Sequence, residues 1–301
     1  MIHKIHNIKY KFVFWGTGEF AVKILDFLRK NHFDPSLIVT TSDKPKGRTM
    51  KIMPTPVKLW AKENNKIILQ PEKITDVHNL IVSHYDIFLV ADYGKIIPIE
   101  ILNIPKFGCL NIHPSLLPEF RGPSPIQSFI LSGGGKTGVS IILMDEQMDH
   151  GPIIASKELE IDTSKLKLYN KELEEKLAEL GARLFMETIE DWIEGKIKPR
   201  DQNHSQATYT KKITKKDGLI DLNESAEIIE RKIRAFTPWP AAYFFIEKIG
   251  KKKRIIITSA EIKNSRLFIK KIKPEGKKEM NLEDFLKGNK INELEKYLIA
   301  D

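Results

Sequence analysis

The sequence predicts an α/β fold, a doubly wound and mostly parallel sheet followed by a small β-barrel, and three observations carry that prediction. From residue 11 to 154, short apolar runs (KFVFWG, LIVTT, IFLVA, CLNIHP, VSIILM) alternate with helical patterns such as FAVKILDFLRKN. This alternation implies right-handed βαβ units and a parallel sheet. The run at 87–91 is apolar at every position, which fits a central strand covered by helices on both faces. Near the C-terminus, short β-like runs at 241–246, 254–258 and 267–272 with basic flanks suggest the barrel.

The elements follow in order. Gly16 and Gly18 stand between the first strand and first helix, where Gly-rich turns bind phosphates. Only two glycines of a dinucleotide fingerprint are present and the second strand, LIVTTS, carries no acidic residue, so a tight turn is expected there. Residues 43–51, DKPKGRTMK, read as a basic surface loop suited to phosphates. Leu173, Leu177, Leu180, Leu184, Ile189 and Trp192 place one long amphipathic helix within 165–195, with Gly195 as its stop. The polar, aperiodic stretch 196–209 reads as an interdomain linker. The expected domains are therefore 1–203, with the linker from about residue 196, and 204–301. A helix is expected at 224–235 before the C-terminal strands.

Composition narrows the function classes. With 301 residues the chain exceeds one typical domain length, which favours two. No stretch approaches the roughly 20 apolar residues of a membrane span, and MIHKIHNIKY lacks a signal-like apolar run, so the cytoplasm is the expected compartment. Cys109 is the only cysteine and sits in an apolar run, as a buried filler would. The histidines show no HxxxH or Cys/His spacing, so no metal is expected. Of the net charge of +9, +7 lies in residues 201–301, where 22 Lys and Arg face 15 Asp and Glu. That favours an anionic partner for the C-terminal part.

The densest chemical signal is NIHPSLLP, residues 111–118, at the end of an apolar strand. Residues two apart share a strand face, so Asn111 and His113 emerge side by side, at the strand end where doubly wound folds bind ligands. An amide beside an imidazole suits acyl transfer: the amide stabilises an oxyanion and the imidazole moves protons. MDEQMDHGP, residues 144–152, follows another apolar strand. Two adjacent strand ends would set a carboxylate beside His113, and spacing leaves Asp145, Glu146 and Asp149 all open for that role.

NIHPSLLP, the FRGPSP that follows and the Asp149 loop together resemble the 10-formyltetrahydrofolate-dependent formyltransferases. The resemblance runs nearly end to end, through FWGTGEFA, DKPKGR, MPTPVK, ADYGKIIP, ATYTKKI, AFTPWPAAY and PEGKK. It implies a Rossmann-like domain joined to an OB-like barrel, with 10-formyltetrahydrofolate as co-substrate and no metal. It implies that Asn111 and His113 polarise the formyl carbonyl, and that Asp149, of the three carboxylates, orients His113 and assists proton removal. It also implies a folate site bordered by Ser115, Leu116, Leu117, Pro118, Tyr93 and Gly94. The acceptor it implies is the methionine on charged initiator tRNA, approached by Lys44, Lys46, Arg48 and Lys51. A monomer is expected, because the sequence offers no extra apolar helix for an interface. The chain departs from the family pattern at Trp15, where a small residue is usual, at Gly18, where Pro is usual, at Lys44, where Arg is expected, and at His150. The run 258–267 is short, as if a hairpin of the barrel were missing.

Two rivals share parts of this pattern. An N-formyltransferase acting on an amino sugar nucleotide would use the same Asn, His and Asp. A non-catalytic RNA-binding module would use the basic C-terminal part and exposed aromatics from Phe244, Phe245 and Phe268, for which a buried barrel core is the simpler expectation.

Overall fold

The computed structural model describes residues 10–46, 50–77, 85–160, 167–248 and 251–289, with Leu294 and Tyr297. The chain divides into two compact units, the first made of Met1–Pro125, Lys136–Glu160 and Glu174–Thr210, the second of Ile126–Gly135, Ile161–Leu173 and Lys211–Asp301.

In the first unit the strands are β1 (Phe12–Gly16), β2 (Leu37–Val39), β3 (Lys44–Lys46), β4 (Lys51–Met53), β5 (Ile68–Leu69), β6 (Ile87–Ala91), β7 (Cys109–His113), β8 (Gly138–Leu143) and β9 (Ile153–Glu158). Seven of them form one sheet in the order β5-β2-β1-β6-β7-β8-β9. From β5 to β7 every pairing is parallel, and β8 and β9 are added antiparallel. The wholly apolar β6 is central and buried at all its positions, as expected of a strand covered on both faces. Trp15, Val90 and Asn111 are successive partners across β1, β6 and β7, which sets the catalytic-strand candidate two strands from the first turn.

Helices α1 (Glu19–Lys30), α2 (Pro56–Glu63) and α3 (Ile99–Leu102) connect the parallel strands. The α1 stripe Phe20, Ala21, Ile24, Leu25 and Leu28 is buried, with Glu19 in its first turn and Arg29 and Lys30 in its last, all matched to the helix dipole. Gly18 caps α1 without a side chain; a Cβ there would stand 2.0 Å from Asp92 Oδ2, so the Asp92 carboxylate occupies the space a family proline would fill. Trp15 is wholly buried, edge-on to Tyr93 at 5.3 Å and tilted on Phe88 at 5.5 Å. The core absorbs its bulk beneath the first turn. The basic segment expected as a loop is instead the β3/β4 ribbon, in which Lys44 pairs with Met53 and Lys46 with Lys51.

α4 (Pro125–Ser132) precedes β8, and α5 (Asn170–Ile193) is the long helix expected from the apolar spacing. Gly181 of α5 lies so close to the sheet that a Cβ would meet Ile112 Cγ2 at 2.5 Å. Residues 196–209 are not a free linker. They return across the first unit, pairing Arg200 with Ile153 and Tyr209 with Arg121, and their polarity reflects hydrogen bonds made there.

The second unit contains α6 (Ala226–Phe236), β10 (Ala242–Lys248), β11 (Lys251–Lys263), β12 (Arg266–Pro274), β13 (Met280–Asn281) and α7 (Leu282–Lys287). The strands form one antiparallel sheet in chain order. Ser225 caps α6 by accepting from the Ile228 N–H at 3.3 Å. The core takes Ile229 and Ile233 from α6 and Phe244, Ile255, Ile257, Ile269 and Ile272 from the strands. Strand alternation buries Phe244 but leaves Phe245 exposed and Phe268 partly so, contrary to the expectation of a core place for all three. The short run between Thr258 and Leu267 is explained by a tight hairpin: Asn264 and Ser265 both have positive φ, as a two-residue primed turn requires. No helix among the described residues is long and apolar enough to cross a membrane.

Candidate active site

Asn111 and His113 leave β7 on one face, while Leu110 and Ile112 between and beside them are buried on the other. His113 is 4% exposed. Its Nε2 lies 3.0 Å from the Phe120 carbonyl and its Nδ1 3.5 Å from Asp149 Oδ1. Both ring nitrogens thus face acceptors, an arrangement that an imidazolium satisfies at each N–H. Asn111 Nδ2 donates to the same Asp149 Oδ1 at 3.3 Å. The other carboxylate oxygen, Oδ2, accepts from the Gly122 N–H at 2.7 Å.

The route that brings Asp149 here differs from the sequence expectation. β8 is antiparallel to β7, so Leu143 lies opposite Leu110 at the far end of the strand from His113. The carboxylate therefore does not come from an adjacent strand end; the loop after β8 carries it back. Leu143 N–H to Pro152 O at 2.9 Å pins the loop, and Asp149 adopts φ 52°. The same fold separates the three carboxylates left open by spacing. Asp145 is taken by His150, Oδ2 to Nδ1 at 2.6 Å, and Glu146 is exposed. Only Asp149 meets His113.

The remaining expected residues are placed unevenly. Ser115 is buried, donating to the Glu119 carbonyl at 2.6 Å, and Leu117 packs with Ile142 and Ile153. Tyr93 is buried against Trp15, and burial pushes its phenol up to about 12. Leu116 and Pro118 are partly exposed and Gly94 is open, with φ 74° and nothing within 4 Å of where a Cβ would be. Lys44 and Lys51 are exposed on the ribbon, whereas Arg48 lies outside the described residues. Among the described residues no group of His, Cys, Asp and Glu could hold a metal ion.

Residues 9–189 match the family described as Formyl transferase, and residues 212–266 match Formyl transferase, C-terminal domain. This chain belongs to the formyl transferase family. Among its relatives, the methionyl-tRNA formyltransferase of Sulfurihydrogenibium sp. is 43% identical over 239 residues, covering 77% of this formyl transferase and 75% of the relative. The methionyl-tRNA formyltransferase of Bacillus velezensis is 36% identical over 307 residues, covering 93% and 95%. Among solved structures, a methionyl-tRNA formyltransferase from Clostridium thermocellum aligns with TM-score 0.58 at 19% identity, over 88% of this chain and 98% of that one. A 4-N formyltransferase from Francisella tularensis aligns with TM-score 0.60 at 24% identity, over 80% and 95%. These two likenesses bear on the fold alone.

Sequence reasoning gave no role to several residues that hold the site of this formyl transferase together. Phe120 supplies the carbonyl under His113, and its own N–H is held by Thr208 Oγ1 at 2.8 Å. Gly122 supplies the N–H to Asp149. Arg121 between them is buried, and Gln202 lies beside it. FRGPSP was visible as a motif, but Gln202 and Thr208 sat in a stretch whose lack of periodicity concealed them.

Proposed function

We propose that this formyl transferase moves the formyl group of 10-formyltetrahydrofolate to the α-amino group of methionine on initiator methionyl-tRNA, for translation initiation. The observation that carries the chemistry is the convergence of Asn111 Nδ2 and His113 Nδ1 on one carboxylate oxygen of Asp149. The names of the relatives support the acceptor, over 75% of the Sulfurihydrogenibium protein and 95% of the Bacillus velezensis one.

The neutral amine attacks the formyl carbon, and the carbonyl electron pair moves onto oxygen. Asn111, which spends one amide proton on Asp149, has the second for that oxyanion, and His113 aids it in this reading when Nε2 exchanges the Phe120 carbonyl for the formyl oxygen. Pre-aimed donors of this kind are typically worth about 3 to 4 kcal/mol each. Asp149 orients His113 and takes the amine proton, directly or through water. The bond from the formyl carbon to the folate nitrogen then breaks, and that nitrogen takes a proton passed on by His113. Ser115, Leu116, Leu117, Pro118, Tyr93 and Gly94 border the folate in this reading. The ribbon cations Lys44, Lys46 and Lys51, with Arg48, meet the acceptor end of the tRNA as a cytoplasmic monomer binds it. Lys44 offers a point charge where an arginine would offer a bidentate fork.

Transfer of labelled formyl from 10-formyltetrahydrofolate tests this, with initiator methionyl-tRNA, a matched elongator tRNA and an amino sugar nucleotide as acceptors. Wild type should formylate only the initiator, and His113→Ala should lose activity. Formylation of the sugar nucleotide in preference to tRNA would keep the chemistry and overturn the acceptor.

A further inference from the structure

Gln202 touches neither Asn111, His113 nor the Asp149 side chain, yet the site hangs on it. It is 5% exposed, and every hydrogen-bonding capacity of its amide is used. Nε2 donates to the Asp149 carbonyl at 2.9 Å and to the Gly151 carbonyl at 2.7 Å. Oε1 accepts from Arg121 Nε at 3.1 Å and Nη2 at 2.7 Å. One side chain therefore grips the Asp149 loop by its backbone and Arg121 by its fork.

Arg121 is the second half of the device. It is 1% exposed, and its guanidinium meets Gln202, His204 Nδ1 at 2.9 Å and the Tyr209 hydroxyl at 3.4 Å. The peptide groups on either side of Arg121 are the ones that hold the catalytic pair. The Phe120 carbonyl faces His113 Nε2, and the Gly122 N–H donates to Asp149 Oδ2. Phe120 and Asp149 also both carry left-handed backbone, φ 58° and 52°. Non-glycine residues stay in that region only where the surroundings over-determine them. Gln202 joins those surroundings.

We infer that Gln202 is a positioning residue for the transfer: by tying the backbone of Asp149 to Arg121, it fixes Asp149 against His113. Transition-state alignment is steep in distance, since a misplacement of about 1 Å can cost on the order of 100-fold in rate. The inference rests on the formyl transfer proposed above only for its kinetic readout.

Two substitutions separate the halves of the clamp. Gln202→Glu keeps an acceptor for Arg121 but loses both donors to the Asp149 loop, and Gln202→Leu loses everything. Both should lower kcat by roughly tenfold or more, with KM for folate and acceptor within about twofold and an unchanged circular dichroism spectrum. A residue that served only to hold the fold would instead leave kcat of the folded Gln202→Glu variant near wild type, and that result overturns the inference. Should neither variant fold, Arg121→Lys, which keeps the cation but only one bond to Oε1, carries the same expectation and the same overturning result. The imidazole resonances of His113, recorded by NMR at one pH, give a readout independent of turnover. In Gln202→Leu they should move from their wild-type positions as the carboxylate leaves the ring, and unmoved resonances also count against the role. A wild type inactive on every acceptor, with moved His113 resonances in the variant, would sink the proposed function and leave the positioning intact.

Discussion

Individual side chains in this protein are assigned by what surrounds them more than by what they are. Cys109, on the same face of β7 as Asn111 and His113 but at the start of the strand, is buried with its thiol directed at the Leu102 carbonyl at 3.5 Å, and burial pushes its pKa up, so it is a filler of the core and not a nucleophile. Asp43, at the foot of the basic ribbon, shows the opposite effect. The Gln70 amide and then the Lys58 ammonium hold its carboxyl below the ordinary range, at 2.7 and 2.6 Å. A depressed folded-state pKa contributes stability above the unfolded value, about 3.9, and that contribution is lost as pH falls through the folded value. Asp43→Asn should therefore cost on the order of 1 kcal/mol or less at pH 7 for a half-buried pair near the surface, and the difference from wild type should vanish near pH 2. Urea unfolding at both pH values measures it. A cost that persisted in acid would mean that the side chain acts by shape and not by charge.

Among the elements, α5 is packed where its sequence offered no apolar residue. Of the stripe that the spacing predicted, Leu173, Leu177, Leu184 and Ile189 are buried and Leu180 and Trp192 partly so, with Phe185, which the spacing did not single out, buried among them, but the closest approach to the sheet is at Gly181, over Ile112 and Val139. Ile112 lies between Asn111 and His113 on the opposite face of β7, so this contact backs the strand that carries the proposed catalytic pair. Gly181→Val places a Cβ 2.5 Å from Ile112 Cγ2. Overpacking of this sort typically costs about 1 to 3 kcal/mol, more than the helix gains by losing a glycine. Thermal unfolding should register that loss. A variant as stable as wild type would show that the helix lifts freely, and that the close approach supports nothing.

At the scale of the molecule, the last residues of the first compact unit matter to its stability. The first compact unit runs to Thr210. Thr208 accepts the Phe120 and Arg121 N–H groups at 2.8 and 2.9 Å, and Thr210 both donates to the Arg121 carbonyl at 2.7 Å and accepts from the Ser124 N–H at 3.1 Å. A fragment 1–203 gives up these bonds and a fragment 1–210 keeps them, while both lack the same later residues. The longer fragment should melt several degrees higher, since about 1 kcal/mol shifts a domain of this size by roughly 2 to 4 °C. Equal melting temperatures would mean that residues 204–210 lie on the unit without supporting it.

The sequence by itself determined the layered α/β plan, because a strand apolar on both faces and a helix with a 3.6-residue stripe each state their burial locally. It placed Asn111 and His113 on one face, because strand alternation is a property of the backbone alone. The tertiary structure alone decided which of three carboxylates meets His113, since the antiparallel turn into β8 sends the loop back along the sheet and its backbone sets Asp149 inward. It alone revealed Gln202, Thr208 and Thr210 as parts of the site. Their hydrogen bonds close over distances of up to 88 residues along the chain, and no local periodicity records a partner that far away.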